Sequence, residues 1–433
     1  MPNVIKPTKF RWNLAILMFL ISFIAYMDRV NLSVATPMIM AEFSLTKIDI
    51  GIMQTVFFVG YSIIQIPGGI MAEYFGHRRI VTLAIVWWSV FTALTAFGKS
   101  FTSLLIIRGL FGIGEGPLFP AFNNFVYKWF NKDEKAIGSS YMLGGAFIGP
   151  VFGPAITVAL MMTWGWRSVF IIFGLAGLIF AIAWYVLGKD TPRESSFVNE
   201  GELKHIEQGM DVSQVEKKEL APWKAFMTSS QFWAIGIQYF ITDYIMYVFL
   251  AWLPLYLMEA QNFSLAKMGI AASFPWALLA IMTFATAYIS DKLVAKGLPK
   301  AKARTLFGVS GLVICCITLY LGAVATSPWM NVLWLTISLG SLGMTFSASW
   351  AACIDIGGKF SGSVSGWMNF WGNLGGVAAP TATAWIATNY GWQTAILVTA
   401  GSAIIGIIAW IAVKPDMPLT RKDIVQQDST LVS

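Results

Sequence analysis

WRSVFIIFGLAGLIFAIAWYVL, residues 166–187, is followed by GKDTPRES, residues 188–195. The first segment has one charge, Arg167 near its start. As helix its length is about 33 Å at roughly 1.5 Å per residue, enough to cross about 30 Å of hydrocarbon. The second segment is polar and carries Pro and a helix-terminating Gly. A membrane span ending in a hydrophilic loop is the reading, and the same pattern recurs along the chain. Of 433 residues 57% are hydrophobic and 12% charged, against about 45–50% and about 25% in soluble domains.

Apolar runs and their breaks place helices near 12–38, 49–73, 79–98, 101–129, 136–162 and 166–187, then near 230–258, 266–290, 304–325, 329–353, 360–387 and 392–413. The stretch 188–229, with Lys189, Arg193, Glu200, Lys204, Glu207, Lys217 and Lys218, is the one long hydrophilic loop. The expected fold class is therefore an all-α polytopic membrane protein. Twelve transmembrane helices form two six-helix bundles, 1–187 and 230–433, joined by a cytoplasmic linker, with pseudo-two-fold symmetry between them.

A net charge of +7 does not point to nucleic acid, because the cations gather in short loops on one side, as the positive-inside rule requires. His77 to Arg79, Lys128 to Lys135, the linker, Lys292 to Arg304, Lys359 and Lys414 to Lys422 fall on the side of both termini, whereas Lys47, Arg167 and Lys267 fall opposite. That side is expected to be cytoplasmic. Trp87, Trp88, Trp129, Trp164 and Trp166 fall near expected helix ends, as in an interfacial belt. Cys315, Cys316 and Cys353 have no metal-ligand spacing and read as small apolar side chains. Lys6, Lys9 and Arg11 before an apolar run resemble a signal peptide, but Asp28 and Arg29 replace a cleavage site, so the run is expected to stay as the first helix.

The halves echo one another, the mark of a carrier built from repeats. Gly68 to Glu73 with Gly76 to Arg79 after helix 2 matches Ser290, Asp291 and Lys292 with Lys300, Lys302 and Arg304 after helix 8. Gly144 to Pro150 in helix 5 matches Gly372 to Gly376 and Pro380 in helix 11. Trp164-Gly165-Trp166-Arg167 matches Tyr390-Gly391-Trp392-Gln393.

Charges inside a membrane cost about 2.5–3.5 kcal/mol each on insertion scales and mark function. They are Asp28 and Arg29 in helix 1, Arg108 and Glu115 in helix 4, and Asp243 in helix 7. Tyr26 and Arg29, three apart, share a face, and a guanidinium suits bidentate recognition of a carboxylate. The alternative is that Asp28 and Arg29 only neutralise each other as structural ions near the helix end. Arg108 and Glu115, two turns apart, share a face; Glu115 lies among Gly112, Gly114, Gly116 and Pro117, where desolvation suits a proton carrier. A fixed bridge to a cation is the alternative. Two readings stand for Asp243: a ligand for a cationic group or second proton, or a cap at a break near Gly236. His77 and His205 lie in expected cytoplasmic loops, and neither His-Glu-x-x-His nor Gly-x-Ser-x-Gly occurs, so an intramembrane enzyme is not the reading.

The loop Gly69-x-x-x-Glu73-x-x-Gly76-x-Arg78-Arg79 resembles the signature of the major facilitator superfamily, with Glu where Asp is usual. Tyr26 to Ala35, Tyr61 to Gly69, Arg108 to Pro120 and Gly366 to Gly376 extend the similarity to its anion:cation symporter branch, which includes galactonate, glucarate, hexuronate and phthalate-type permeases and sialin-like carriers. The resemblance implies alternating access around a central site, with no ATP site and no cofactor. It implies that Arg29 binds a substrate carboxylate and that Asp28 and Glu115 take coupling protons, with Arg108 beside them. The positions matching Tyr26, Tyr61, Gln65, Ser347, Ser349, Trp350 and Asn369 line the site, and Gly69, Glu73, Gly76, Arg78 and Arg79 form the gating loop. Spacing agrees, since Tyr61 and Gln65, Ser347 and Trp350, and Asn369 and Asn373 are pairs on one helix face. One departure is helix 5, where galactonate-type members carry a Gln for sugar hydroxyls and this chain has Gly144, Gly145 and Ala146.

The expected function is proton-coupled symport of a small organic anion by a monomer of the inner membrane, both termini cytoplasmic. A carrier of amino-acid-like or aromatic carboxylates, or an exporter of an acidic metabolite, is the alternative.

Overall fold

A computed structural model describes residues 6–131, 134–207 and 221–419. Residues 132–133, residues 208–220 with Lys217 and Lys218, the tail from 420 with Lys422, and the side chain of Lys359 lie outside the described residues. Among the described residues eleven helices are long and apolar enough to cross a bilayer. They are α1 (Phe10–Phe43), α2 (Lys47–Phe75), α3 (His77–Thr95), α4 (Phe101–Trp129), α5 (Lys135–Trp164), α6 (Trp166–Leu187), α7 (Ser230–Glu259), α8 (Leu265–Ala295), α9 (Lys300–Val324), α10 (Pro328–Gly357) and a last helix, Ser361–Ala412. That last helix has 52 residues and is broken at Gly391, where φ is 84° and ψ 164°. Its parts, α11 (361–390) and α12 (392–412), bring the spans to twelve. Helix is the natural solution here because lipid offers no partner to an unbonded backbone amide.

The chain packs as two compact units, one holding α1, α2 from Ile52 on and α3 to α6, the other holding α7 to α12 with residues 46–51, and each repeats the other's internal construction. In the first, α5 lies against α1, and a Cβ at Gly149 would come 2.6 Å from the Phe23 carbonyl oxygen. In the second, α11 lies against α7, and a Cβ at Gly375 would come 2.6 Å from the Phe240 carbonyl oxygen. Gly165 (φ 79°) breaks the chain before α6 as Gly391 does before α12, a conformation that costs glycine least. The Trp after each break anchors it: Trp166 Nε1 donates to Glu42 at 2.9 Å and Trp392 Nε1 to Glu259 at 2.8 Å. Arg167 adds a salt bridge to Glu42 in the first unit.

Three expectations from sequence are corrected. His77 is not in a loop; it is the first residue of α3, fully buried, with its ring against Phe125 and Trp184. Trp88, Trp129 and Trp166 are 1%, 0% and 6% exposed and are buried rather than placed in an interfacial belt, whereas Trp87 and Trp164 are exposed. And α7 runs without a break through Gly236, so Asp243 caps nothing there.

The linker also has structure. A short helix, Glu200–Glu207, belongs to the first unit, and its Glu202 is fully buried. Glu202 accepts hydrogen bonds from the Thr8 hydroxyl (2.6 Å), the amides of Phe10 and Arg11 (3.0 and 3.2 Å) and the Arg11 guanidinium (2.8 Å). One carboxylate thereby satisfies amides that every helix start leaves without intrahelical partners, and its charge suits the positive end of the α1 dipole. Arg11 reaches on to Glu134, the residue before α5, at 2.9 Å, and His205 Nε2 lies 3.2 Å from the same carboxylate. Partial burial pushes the Glu134 carboxyl up, but hydrogen bonds from Arg11 and His205 outweigh it and leave it below the usual range.

Candidate functional site

Each unit carries its own set of polar groups within the apolar helices. In the first, α1 supplies Tyr26, Asp28, Arg29 and Asn31, α2 supplies Phe57, Tyr61 and Gln65, and α4 supplies Arg108 and Glu115. The approach of α2 to α4 is direct: a Cβ at Gly60 would lie 2.6 Å from the Gly109 carbonyl oxygen, and one at Gly112 would collide with that of Phe57. Glycine at both positions brings the α2 rings within reach of the α4 charges.

Arg29 and Glu115 meet there. Arg29 Nε donates to Glu115 Oε1 at 2.7 Å, with the side chains 2% and 0% exposed. The guanidinium carbon lies 4.5 Å from the Tyr26 ring centroid, 4.7 Å from Tyr61 and 5.3 Å from Phe57. Rings around a desolvated cation attract it through their quadrupoles, by about 2 kcal/mol or more in dry settings, and they fix its plane. Arg108, 3% exposed, is held against Phe111 at 4.4 Å and Phe57 at 5.2 Å. Asp28 is 1% exposed. Its Oδ1 accepts from Asn31 Nδ2 at 3.1 Å, while Asp28 Oδ2 and Glu115 Oε2 receive no hydrogen bond among the described residues. The carboxylate bound to Arg29 is thus Glu115, three helices on, rather than its neighbour Asp28. Two acids and two guanidinium groups share one dry region, a formally neutral quartet.

Pro117 and Gly76 shape this unit further. α4 is interrupted at Gly116 and Pro117, between Phe101–Glu115 and Leu118–Trp129, so Glu115 ends a helical segment. In the expected gating loop Gly76 has φ 85°, and the Asp190 carboxylate occupies the space a Cβ would need. Asp190 accepts the Arg78 amide at 2.9 Å, and Arg78 Nε donates to the Tyr185 carbonyl at 2.7 Å with its guanidinium over the Tyr185 ring. Glu73 and Arg79 are exposed, and Gly69 is half-buried against Pro120.

In the second unit Ser347 and Asn369 are half-buried and Trp350 is 37% exposed. Ser349 points the other way; it is fully buried, with its hydroxyl 3.2 Å from Gln238 Oε1 and 2.8 Å from the Thr345 carbonyl. Trp350 Nε1 donates to the Tyr239 hydroxyl at 3.0 Å. Asp243 is 5% exposed on α7, and its carboxylate and the Tyr239 ring fill the space beside Gly372. Gln238 and Tyr239 orient two expected site residues, and sequence reasoning gave them no role. Their spacing to Asp243 on α7 was visible; their partners on α10 were not.

The Major Facilitator Superfamily model matches residues 18–380. The chain belongs to the major facilitator superfamily. It is 29% identical over 96% of its length to a D-galactonate transporter of Escherichia coli, covering 98% of that protein. It is 30% identical over 91% of its length to a hexuronate transporter of Bacillus subtilis, covering 92% of that one. An ascorbate transporter of Arabidopsis thaliana chloroplasts is 30% identical over 92% of this chain, with 74% of that protein covered. The fold also matches an inward-facing, unoccupied bacterial homolog of the human lysosomal transporter Spinster, with TM-score 0.76 at 17% identity, covering 94% of this chain and 98% of that one. This superfamily member is therefore a multi-pass membrane transporter and not an enzyme. Asn31, Phe57 and Phe111 are groups around its buried charges that sequence reasoning passed over, because an Asn or a Phe in a membrane helix carries no mark of which neighbour it touches.

Proposed function

We propose that this transporter is a proton-coupled symporter of a small organic anion, a sugar acid or related carboxylate. It works by alternating access, as a monomer of the cell inner membrane with both termini cytoplasmic. The reading is carried by the buried 2.7 Å pair between Arg29 and Glu115. A guanidinium whose charge a buried carboxylate already compensates gains much less from a second, because the two anions repel each other in a desolvated site, unless the first is neutralised. A proton on Glu115 does this, releasing Arg29, ringed by Tyr26 and Tyr61, to bind the anion in a bidentate fork. Loss of the proton on the other side of the membrane restores the pair and expels the anion. Asp28 takes a second proton, with Asn31 fixing its carboxylate, and Arg108 compensates charge as the protons move. Gln65, Ser347, Trp350 and Asn369 contact the ligand, Ser349 positions Gln238 from within the second unit, and Gly69, Glu73, Gly76, Arg78 and Arg79 act in the conformational change. The names of the galactonate and hexuronate relatives support a sugar acid.

One observation favours a second reading. Three aromatic rings crowd Arg29, and α5 offers Gly144, Gly145 and Ala146 in place of a side chain that could hold sugar hydroxyls. An aromatic or amino-acid-like carboxylate suits such surroundings. Proteoliposomes with an acidic exterior and labelled galactonate, hexuronate or benzoate-type acids test both readings, and a reversed gradient runs the same cycle as export. Accumulation that collapses with a protonophore is expected; uptake indifferent to the pH gradient would exclude proton coupling.

A further inference from the structure

The second unit has a groove that the transport cycle does not use. It is about 760 Å³ in volume and runs between the start of α9 and the end of α12. Lys302, Thr305, Val309 and Val313 line it from α9, and Ile411 and Lys414 from α12 and the residues just after it. Positions 302, 305, 309 and 313 fall at helical spacing, so they present one continuous face.

The groove is apolar along its length and basic at its mouth. Ile411 is 67% exposed, as are its neighbours one and two turns earlier on α12, Ile408 at 63% and Ile404 at 51%, so this wall faces the acyl chains. Lys302 and Lys414 are both exposed. Neither is in an ion pair among the described residues, whereas the nearby Lys300 and Arg304 are both taken by Asp355, Arg304 also by Asp291. The acid at this mouth, Asp416, is engaged by the Ala301 amide at 3.0 Å. The mouth keeps a net positive charge. From Lys302 to Val313 the groove descends eleven residues of helix, about 16 Å at roughly 1.5 Å per residue. One leaflet of a bilayer has a hydrocarbon depth of about 15 Å, half of the usual ~30 Å.

We propose that this groove is a binding site for one acidic phospholipid, its phosphate between Lys302 and Lys414, with Thr305 as a hydroxyl donor, and one acyl chain along Val309, Val313 and Ile411. Charge and depth together select this occupant. A soluble anion makes no use of the apolar length, and a zwitterionic lipid makes little use of two unpaired ammonium groups. Basic pockets between membrane helices are favourable places for anionic headgroups.

The test uses the full chain purified in detergent, with retained lipid counted by native mass spectrometry after titration with phosphatidylglycerol or phosphatidylcholine. The wild type is expected to hold one phosphatidylglycerol in preference to phosphatidylcholine. A lysine near an anionic lipid surface strengthens binding about fivefold, so losing two weakens it about 30-fold; that is the loss expected for K302Q/K414Q, while K302R/K414R retains binding. V309W, which fills the groove and leaves both ammonium groups in place, is also expected to lose the lipid. Melting temperatures without added lipid show that the variants are folded. Equal retention of the two lipids by the wild type, unchanged retention in K302Q/K414Q, or unchanged retention in V309W would each overturn the proposal.

Discussion

Replacing Glu115 by Gln separates proton coupling from anion binding. The Arg29 to Glu115 pair at 2.7 Å attracts by about 6 kcal/mol at an effective dielectric of about 20. A substrate carboxylate at the same guanidinium gains about as much, so the two acids compete on nearly equal terms and the proton decides between them. In the wild type, apparent Kd should then rise about tenfold per pH unit once Glu115 is ionised, because each unit adds about 1.4 kcal/mol to the cost of neutralising it. Glu115→Gln removes that dependence: the amide keeps the shape and still accepts from Arg29, but it does not hold the cation as an anion does. The tenfold-per-unit slope due to Glu115 should disappear, and affinity should equal the wild-type affinity at the acidic end. Uphill accumulation driven by a pH gradient should vanish while counterflow persists. Removing one partner of a buried pair commonly destabilises by about 3–5 kcal/mol; with three rings still around Arg29 the loss should lie at or below the lower end. Isothermal titration across pH, counterflow, pH-driven uptake and melting on the same purified variant give the answer. A wild-type pH slope in the variant, retained accumulation against a gradient, or collapse of the fold would refute the proton-carrier role.

Arg29→Lys should abolish high-affinity anion binding with insertion intact, since a point charge cannot reproduce a planar fork; unchanged affinity by titration removes Arg29 from the site. Gln65→Ala and Asn369→Ala should each weaken binding by about 1–3 kcal/mol through lost hydrogen bonds and leave the proton to anion ratio unchanged, and wild-type Kd in both means that neither side chain touches the ligand. Glu202→Ala should destabilise the first unit by about 3–5 kcal/mol, because Arg11 and the first amides of α1 lose a fully buried partner; an unchanged melting temperature in detergent would deny Glu202 that role. Glu134 is held below its ordinary range by Arg11 and His205 against partial burial. Its contribution to stability is therefore complete above the unfolded value of about 4.3 and is lost as pH falls through the lower folded value. Melting should drop more steeply below pH 4 in the wild type than in Glu134→Gln, and parallel curves would show that the carboxylate contributes nothing.

Sequence alone determined that this chain lives in a bilayer and how many times it crosses, because length and hydrophobicity of a span are set by the solvent and need no partner to be recognised. It also exposed the echo between halves: the Trp after each Gly break and the small residues of α5 and α11 are local signals for a turn and a close approach. It named the intramembrane charges, since a charge in an apolar run is conspicuous wherever it points. Tertiary structure alone decided which charges meet. Asp28 and Arg29 are adjacent in sequence, yet neighbours on a helix diverge by about 100°, and Arg29 on α1 pairs with Glu115 on α4, while glycines let α2 bring its rings against α4. The same rule hid Ser349 behind Gln238, buried His77 between two rings, and turned a linker glutamate into the cap of α1. Each outcome depends on a contact made by residues far apart in the chain, and no periodicity within one helix encodes which face another helix will cover.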